Sequence, residues 1–401
     1  MPVLPKKSEN HPSKIVTELP NSAANISKFT DGERLTLLKC FASRATKDLL
    51  TRSQGVNNLQ EHLQAAISWL KRSHDVTPDD GVSWGYSLKG GWRPSYRETS
   101  GYIAVTFFNL AQQLNDNDAR ERAIAIAKWL CQIQNNDGSI SNPRYASTGI
   151  VFDTGQVLFG LVRAFQETQN PLFFQAAEKA GNWLVKIADS DGKWTRNTHN
   201  NIPHVYNTRT AWALLQLNSI NPKKEYEKIA KANLDWALTQ QHNGLFQQCA
   251  FTEGVAPFTH TIAYTIRGLF ESSILLDEDK YLNAAILAAE TMLKYVRSDG
   301  FIPGQIDLRG NPQGNYSCLT GNCQMAIIWC KLFQRTADQV YYWAAADSLR
   351  YVMSYQDIRT SDLNIFGGIK GSQPIWGKYT RLSYPNWAAK FFVDALMMLS
   401  R

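Results

Sequence analysis

Residues 171–220 read PLFFQAAEKAGNWLVKIADSDGKWTRNTHNNIPHVYNTRTAWALLQLNSI, and the fold follows from how this stretch is divided. Its first part, 171–188, carries apolar residues at helical spacing with charges on one face, which predicts an amphipathic helix. DSDGKW (189–194) is a stop, because Gly ends a helix in a left-handed conformation and Asp before it favours a turn. A polar run follows, with two histidines, four asparagines, a tyrosine and two arginines in 195–209. Then comes a helix that is apolar nearly all round, as suits burial on both sides.

The same sentence is written six times. Outer-type segments occupy 59–73, 119–134, 171–188, 225–241, 279–296 and 339–356, each with an Ala-rich middle and a Trp, Leu or Tyr near its end. Glycine stops follow most of them: NNDGSI (135–140), DSDGKW (189–194), QHNGLF (241–246) and RSDGFI (297–302). Inner-type segments begin at 98, 152, 206, 259, 318 and 384. Repeats at such a period mark stacked supersecondary units, and six of them close more readily into a ring than into an open solenoid, whose two ends would expose apolar faces. The expected fold is all-α, an (α/α)6 toroid with an N-terminal extension. A flexible segment is expected over 1–30, and one toroid domain over 31–401 that includes an extra helix near 31–51.

Bulk properties narrow the classes. The 401 residues with 44% hydrophobic content suffice for a sizeable core. The first 30 residues have no apolar h-region, and no later run approaches the roughly 18 apolar residues of a membrane span, so a cytoplasmic protein without a membrane span is expected. Four of the six cysteines sit in apolar helical patterns, where a reduced thiol behaves as a small hydrophobe. The net charge of +7 is not gathered into a basic block, which disfavours nucleic acid and leaves room for an acidic partner.

In a toroid the loops before the inner helices open on one mouth, and their inventory is aromatic and charged. Exposed Trp and Tyr beside amides and carboxylates suit sugars, which offer C–H faces and hydroxyls. Trp92, Arg93, Arg97, Asn207, Arg209, His260, Trp376, Tyr379, Arg381 and Trp387 are the candidate substrate contacts. Glu98 and Asp153 stand at equivalent entrances of adjacent inner helices and form the candidate acid/base pair. Either also suits a helix start for dipole or capping reasons. His204 and Tyr206, with Asn207 and Arg209, form a second candidate set, since proton abstraction beside a carboxylate needs that carboxylate neutralised while Tyr or His moves the proton. Cys318 and Cys323 in CLTGNC, near His260, lack paired zinc spacing and a fourth partner, and no phosphate-binding Gly loop occurs, so no metal or cofactor is expected.

The hairpins, the DGS and DGK turns and the carboxylates opening neighbouring inner helices together resemble the six-hairpin glycosidase superfamily over residues 55–401. Within it the resemblance to unsaturated glucuronyl hydrolases implies two aspartates at adjacent inner-helix entrances that protonate the double bond of a lyase product; Asp153 matches the second, whereas the first position holds Glu98. The same turns are similar to fragments of terpene-cyclase and prenyltransferase toroids, whose DxDD or diphosphate-metal motif is missing from the sequence. The stretch GGIKGSQPIWGKYTRLSYPNWAAKFFVDALM (367–397) resembles toroid proteins of bacterial exopolysaccharide biosynthesis. Three functions stay open at this point: a glycoside-hydrolase-like enzyme on an acidic oligo- or polysaccharide, a uronate lyase or C5-epimerase, and a non-catalytic glycan-binding toroid.

Overall fold

A computed structural model describes residues 58–142 and 146–400. The expected flexible segment, the extra helix near 31–51, and Arg144 and Tyr145 lie outside the described residues. Within them run twelve α-helices: α1 Leu59–Asp75, α2 Arg97–Leu114, α3 Asn117–Ile133, α4 Val151–Thr168, α5 Pro171–Ile187, α6 Thr208–Ile220, α7 Lys224–Thr239, α8 Thr259–Leu276, α9 Asp279–Leu293, α10 Leu319–Thr336, α11 Gln339–Ser354 and α12 Asn386–Leu399. The even-numbered helices form a closed inner ring, each against the next and α12 against α2; the odd-numbered helices pack outside them. The predicted (α/α)6 toroid is therefore the architecture observed.

The hairpins are cut differently from the sequence reading, which joined each outer helix to the inner helix after it. The close antiparallel pairs are α2 with α3, α4 with α5, α6 with α7, α8 with α9 and α10 with α11. Two to three residues make most of these turns, four of them with a left-handed residue that is not Gly: Asn115, Gln169, Asp277 and Ala337. A turn this short forces the second helix back along the first, whereas the long polar loops must cross the rim before re-entering. The sixth pair joins α12 to α1, from opposite ends of the fold. Short strands seal that seam, with Gly85–Ser87 antiparallel to Ser383–Pro385 and Tyr86 opposite Tyr384.

The glycine stops also act otherwise than as helix caps. Gly138 and Gly300 follow their helices by several residues, at φ of 91° and 84°, and close tight turns onto the carbonyls of Asn135 and Arg297. A Cβ would lie 2.3 Å from the Lys179 carbonyl oxygen at Gly138 and 2.0 Å from that of Asp347 at Gly300. Each turn thus presses on the following outer helix, α5 or α11, and only Gly meets both the dihedral and the contact.

Outer and inner helices meet through the Ala-rich faces, with Ala123, Ala127, Ala177, Ala180, Ala230, Ala285, Ala288 and Ala345 buried. Between α2 and α4 the approach is closer still. A Cβ at Gly101 would lie 2.4 Å from the Gln156 carbonyl oxygen, and one at Gly160 would lie 2.5 Å from that of Gly101. Backbone therefore rests on backbone one turn below Glu98, and this contact brings the first turns of α2 and α4 together.

Candidate active site

The outer helices α1, α3, α5 and α11 are capped by Asn58, Asp116, Asn170 and Asp338, whose side chains accept from first-turn N–H groups. None of the six inner helices has a side-chain cap. Their amide ends all face the rim, and the polar loops serve another purpose there. A cavity of about 620 Å³ opens at this mouth. Its wall is aromatic, from Trp84, Tyr96, Tyr102, Phe152, Tyr206, Phe251, Tyr264, Tyr379 and Trp387, and its polar groups include Glu98, Asp153, Asn201, His199 and His260.

Glu98 is the second residue of α2 and Asp153 the third of α4. A helix start favours the ionised carboxylate, yet here the opposite wins. Burial among the rings raises the proton affinity of both groups above the ordinary carboxylate range, and for Glu98 the like charge of Asp153 adds to it. The two differ in partners. Asp153 accepts from Asn142 Nδ2 at 3.3 Å and feels the charge of Arg97, both of which favour its ionised form. Glu98 is hydrogen-bonded to Tyr96 and feels the charge of Arg209, both of which favour its ionised form, but burial and the charge of Asp153 outweigh them. The hydroxyls of Tyr102, Tyr206, Tyr264 and Tyr379 around it are held neutral chiefly by their own burial. A pair sharing one proton would keep it on Glu98 and the charge on Asp153, which is an acid beside a base.

His260 lies on the wall, tilted against Tyr264 and Tyr379 at ring-centre distances of 4.3 and 5.1 Å. Its Nδ1 is 2.9 Å from Gln324 Oε1, and burial pushes its proton affinity down to about 3, so the ring stays neutral. Trp387 meets Trp84 edge-on at 5.0 Å, and its Nε1 donates to the Tyr379 hydroxyl at 2.7 Å. Tyr206, which stacks on His204 at 4.6 Å, also lines the cavity.

Several predicted contacts lie elsewhere. His204 is buried behind Tyr206, with Nδ1 3.0 Å from the Ala250 carbonyl oxygen and Nε2 2.7 Å from that of His199. It ties two rim loops together, and burial keeps its proton affinity below the usual histidine range. Asn207 is buried at the start of α6 and Arg209 beneath the cavity floor, Nε donating to Gln156 Oε1 at 2.6 Å. The second candidate set therefore does not meet in the cavity; Tyr206 alone of the four lines it. Trp92 packs on Trp69 and Tyr86 and donates from Nε1 to Asn364 Oδ1 at 2.9 Å. Arg97 is held by Ser141, with Nη1 2.9 Å from the hydroxyl, while Arg93 and Arg381 are exposed and outside the lining. Trp376 belongs to a separate hollow of about 230 Å³ with Arg297, Phe301, Tyr351 and Tyr355. Long side chains at a loop can reach either face, and sequence spacing does not say which.

Among the lining residues that sequence reasoning did not select are Tyr102, Phe152, Asn201 and Phe251. Tyr102 and Phe152 begin apolar helical runs and read as core, and only the inward turn of α2 and α4 brings them to the wall. Among the described residues no group of three His, Cys, Asp or Glu side chains is placed to hold a metal ion, and no helix is long and apolar enough to cross a membrane.

Solved structures carry the same ring. An unsaturated glucuronyl hydrolase specific for heparin is 15% identical, with a TM-score of 0.69 over 85% of this chain and 96% of its own. The chain has the six-hairpin (α/α)6 toroid fold. The unsaturated glucuronyl hydrolase of Bacillus sp. GL1, described as responsible for glycosaminoglycan degradation, is 14% identical, with a TM-score of 0.67 over 86% of this chain and 97% of its own. Cellobiose 2-epimerase of Bacillus thermoamylovorans B4167 is 10% identical, with a TM-score of 0.64 over 90% and 99%. By sequence, residues 103–275 match the family described as squalene-hopene cyclase C-terminal domain, another toroid. No curated protein matches the chain by sequence.

Proposed function

We propose that the chain is a carbohydrate-active enzyme that uses Glu98 and Asp153 as a proton-sharing pair on a glycan bound in the toroid mouth. The observation that carries this is the pair itself, two carboxyl groups on adjacent inner helices in one aromatic cavity, with partners that favour a proton on one and a charge on the other. Trp84, Trp387 and Tyr206 offer stacking faces, while Asn201 and the neutral His260 offer hydrogen bonds to hydroxyls. A protonated Glu98 donates to a glycosidic oxygen or a sugar double bond, and the Asp153 carboxylate activates the water that completes the reaction.

An acidic glycan, with a place in exopolysaccharide metabolism, is the substrate proposed. Its support is the glucuronyl hydrolases that share the fold and the net charge of +7. Fold alone does not carry activity, so the test is chemical. Purified protein is incubated with acidic and neutral oligosaccharides, saturated and unsaturated, and near-ultraviolet absorbance, product mass and solvent deuterium uptake are followed. Loss of absorbance at an unsaturated sugar, abolished by Asp153→Asn, supports the hydrolase reading. A gain in absorbance points to a lyase, deuterium uptake without cleavage to an epimerase, and binding without change to a recognition module.

A further inference from the structure

Arg209 was expected among the substrate contacts, but it lies behind the cavity rather than in it. Its side chain is 4% exposed and leaves the start of α6 to sit inside the inner ring. Five aromatic faces surround the guanidinium: Tyr264 at 4.9 Å, Phe159 at 5.0 Å, Trp212 at 5.3 Å, Tyr102 at 5.5 Å and Phe391 at 5.7 Å. Tyr102 and Tyr264 are also the cavity floor, with hydroxyls 3.4 Å apart. One wall of rings thus touches the cation on one side and the substrate space on the other.

The cations deeper in the ring each have a carboxylate partner. Lys390 pairs with Asp394 at 2.5 Å, and Glu271 is shared by Arg267 at 2.5 Å and Lys331 at 2.9 Å. Arg209 has no carboxylate within ion-pair distance among the described residues; its one hydrogen-bonded side-chain partner is the neutral Gln156. A buried cation without a counter-charge is costly, and cation–π contacts offset only part of that cost. In front of the floor the anions available are Glu98 and Asp153.

Resting on the reading of these two as the acid pair, we propose that Arg209 is a positioning residue, a caged cation behind the tyrosine floor that keeps one carboxyl of the pair ionised while the other holds the proton. With Arg209 present, a negative charge on the pair has a buried cation behind the floor to answer it. Without it, the pair retains its protons to higher pH, through Glu98, the carboxyl that feels its charge. The other titratable groups on the Glu98 side are Tyr96, which hydrogen-bonds it, Tyr102, Tyr206, Tyr264 and Tyr379, held neutral by burial, and His199 and His260, whose proton affinities burial lowers; Arg97 acts on Asp153. Those facing Arg209 are Tyr102, Tyr264, Arg267, Lys390 and Asp394.

The test reads the protons directly. The infrared band of the protonated carboxyls is followed against pH in the full chain, using Glu98→Gln and Asp153→Asn to assign it. Arg209→Met is expected to extend the band to higher pH, with proton affinity up by about 10- to 100-fold, one to two pH units, and Arg209→Lys to restore most of the original titration. Asp394→Asn removes an anion behind the floor and is expected to move the band the other way; it also serves as the second variant if Arg209→Met does not fold. Unchanged titration in folded Arg209→Met, or in Asp394→Asn if Arg209→Met does not fold, overturns the proposal, as does Lys behaving like Met. Because no substrate is used, a titration that shifts as expected in a protein that transforms no glycan retains Arg209's role and removes only the enzymatic reading.

Discussion

Asn386, the first residue of the last helix, donates from Nδ2 to the carbonyl oxygen of Ser83 at 2.6 Å, across 303 positions of sequence. The same amide reaches Thr99 Oγ1 at 2.8 Å, so one buried side chain pins α12, the first rim loop and α2 together. Asn386→Ala leaves a buried carbonyl and a hydroxyl without this donor, at about 1–3 kcal/mol for each group so orphaned. The expected outcome is a clear fall in Tm with a cooperative transition retained, measured by calorimetry.

Glycine at 101 sets the spacing of the carboxylate-bearing helices. Gly101→Ala places a methyl group against the Gln156 carbonyl, and such overpacking costs typically about 1–3 kcal/mol. Glycan turnover is expected to fall further than the stability loss explains, because the pair is moved apart. A crystal structure of the variant with an unchanged α2–α4 approach would contradict this.

Removing either acid tests the chemistry without disturbing the fold. Asp153→Asn and Glu98→Gln are expected to lower kcat by roughly 10²–10⁴-fold, the usual contribution of general acid–base groups. Circular dichroism should be unchanged.

The pair's own contribution to stability should respond to pH with a definite sign. Both carboxyls bind protons more tightly folded than unfolded, so the folded state is favoured below the unfolded values of about 4 and loses that advantage as pH rises towards neutrality. Glu98→Gln is expected to flatten the fall in denaturation free energy across that window, as read from urea curves at successive pH values. The buried neutral His204 and His260 act in the opposite direction below about 6.5, so the sign is read from the difference between wild type and Glu98→Gln. A difference that does not fall as pH rises would be inconsistent with a protonated pair.

The two tryptophans near the carboxyl end of the fold should behave differently. Trp387→Ala removes a ring from the cavity wall and should raise KM or Kd for a glycan by about 10-fold, from a stacking loss of roughly 1–3 kcal/mol judged by sugar-free aromatic pairs and bases. Trp376→Ala, in its separate hollow, should leave both unchanged.

The ring was legible because helical periodicity and turn chemistry are local. Six apolar patterns and four glycine stops are written in consecutive residues, and each needs only its neighbours to be read. Glu98, Asp153, Tyr206, His260, Tyr379 and Trp387 were legible for a related reason, since a residue at an inner-helix entrance can hardly avoid the mouth. Arg209 stands two residues from Asn207 at such an entrance, yet its long side chain descends among rings from α2, α4, α8 and α12, partners fixed only by the closed ring. Trp92 likewise turns to Asn364, 272 positions away. Which helix follows which in a tight hairpin was misread because four of the turns use left-handed Asn, Gln, Asp and Ala in place of Gly.

Because α12 lies beside α1 as every other inner helix lies beside its outer companion, the point at which this ring is cut is a matter of genetic bookkeeping rather than of packing. A gene that joined the end of α12 to the start of α1 with a short linker and opened instead at the turn after Leu114, Thr168 or Leu276 would encode the same circle of contacts. The seam strands would then lie mid-chain, where closure need no longer wait for the last helix, and such a circularly rearranged chain should fold faster than its parent.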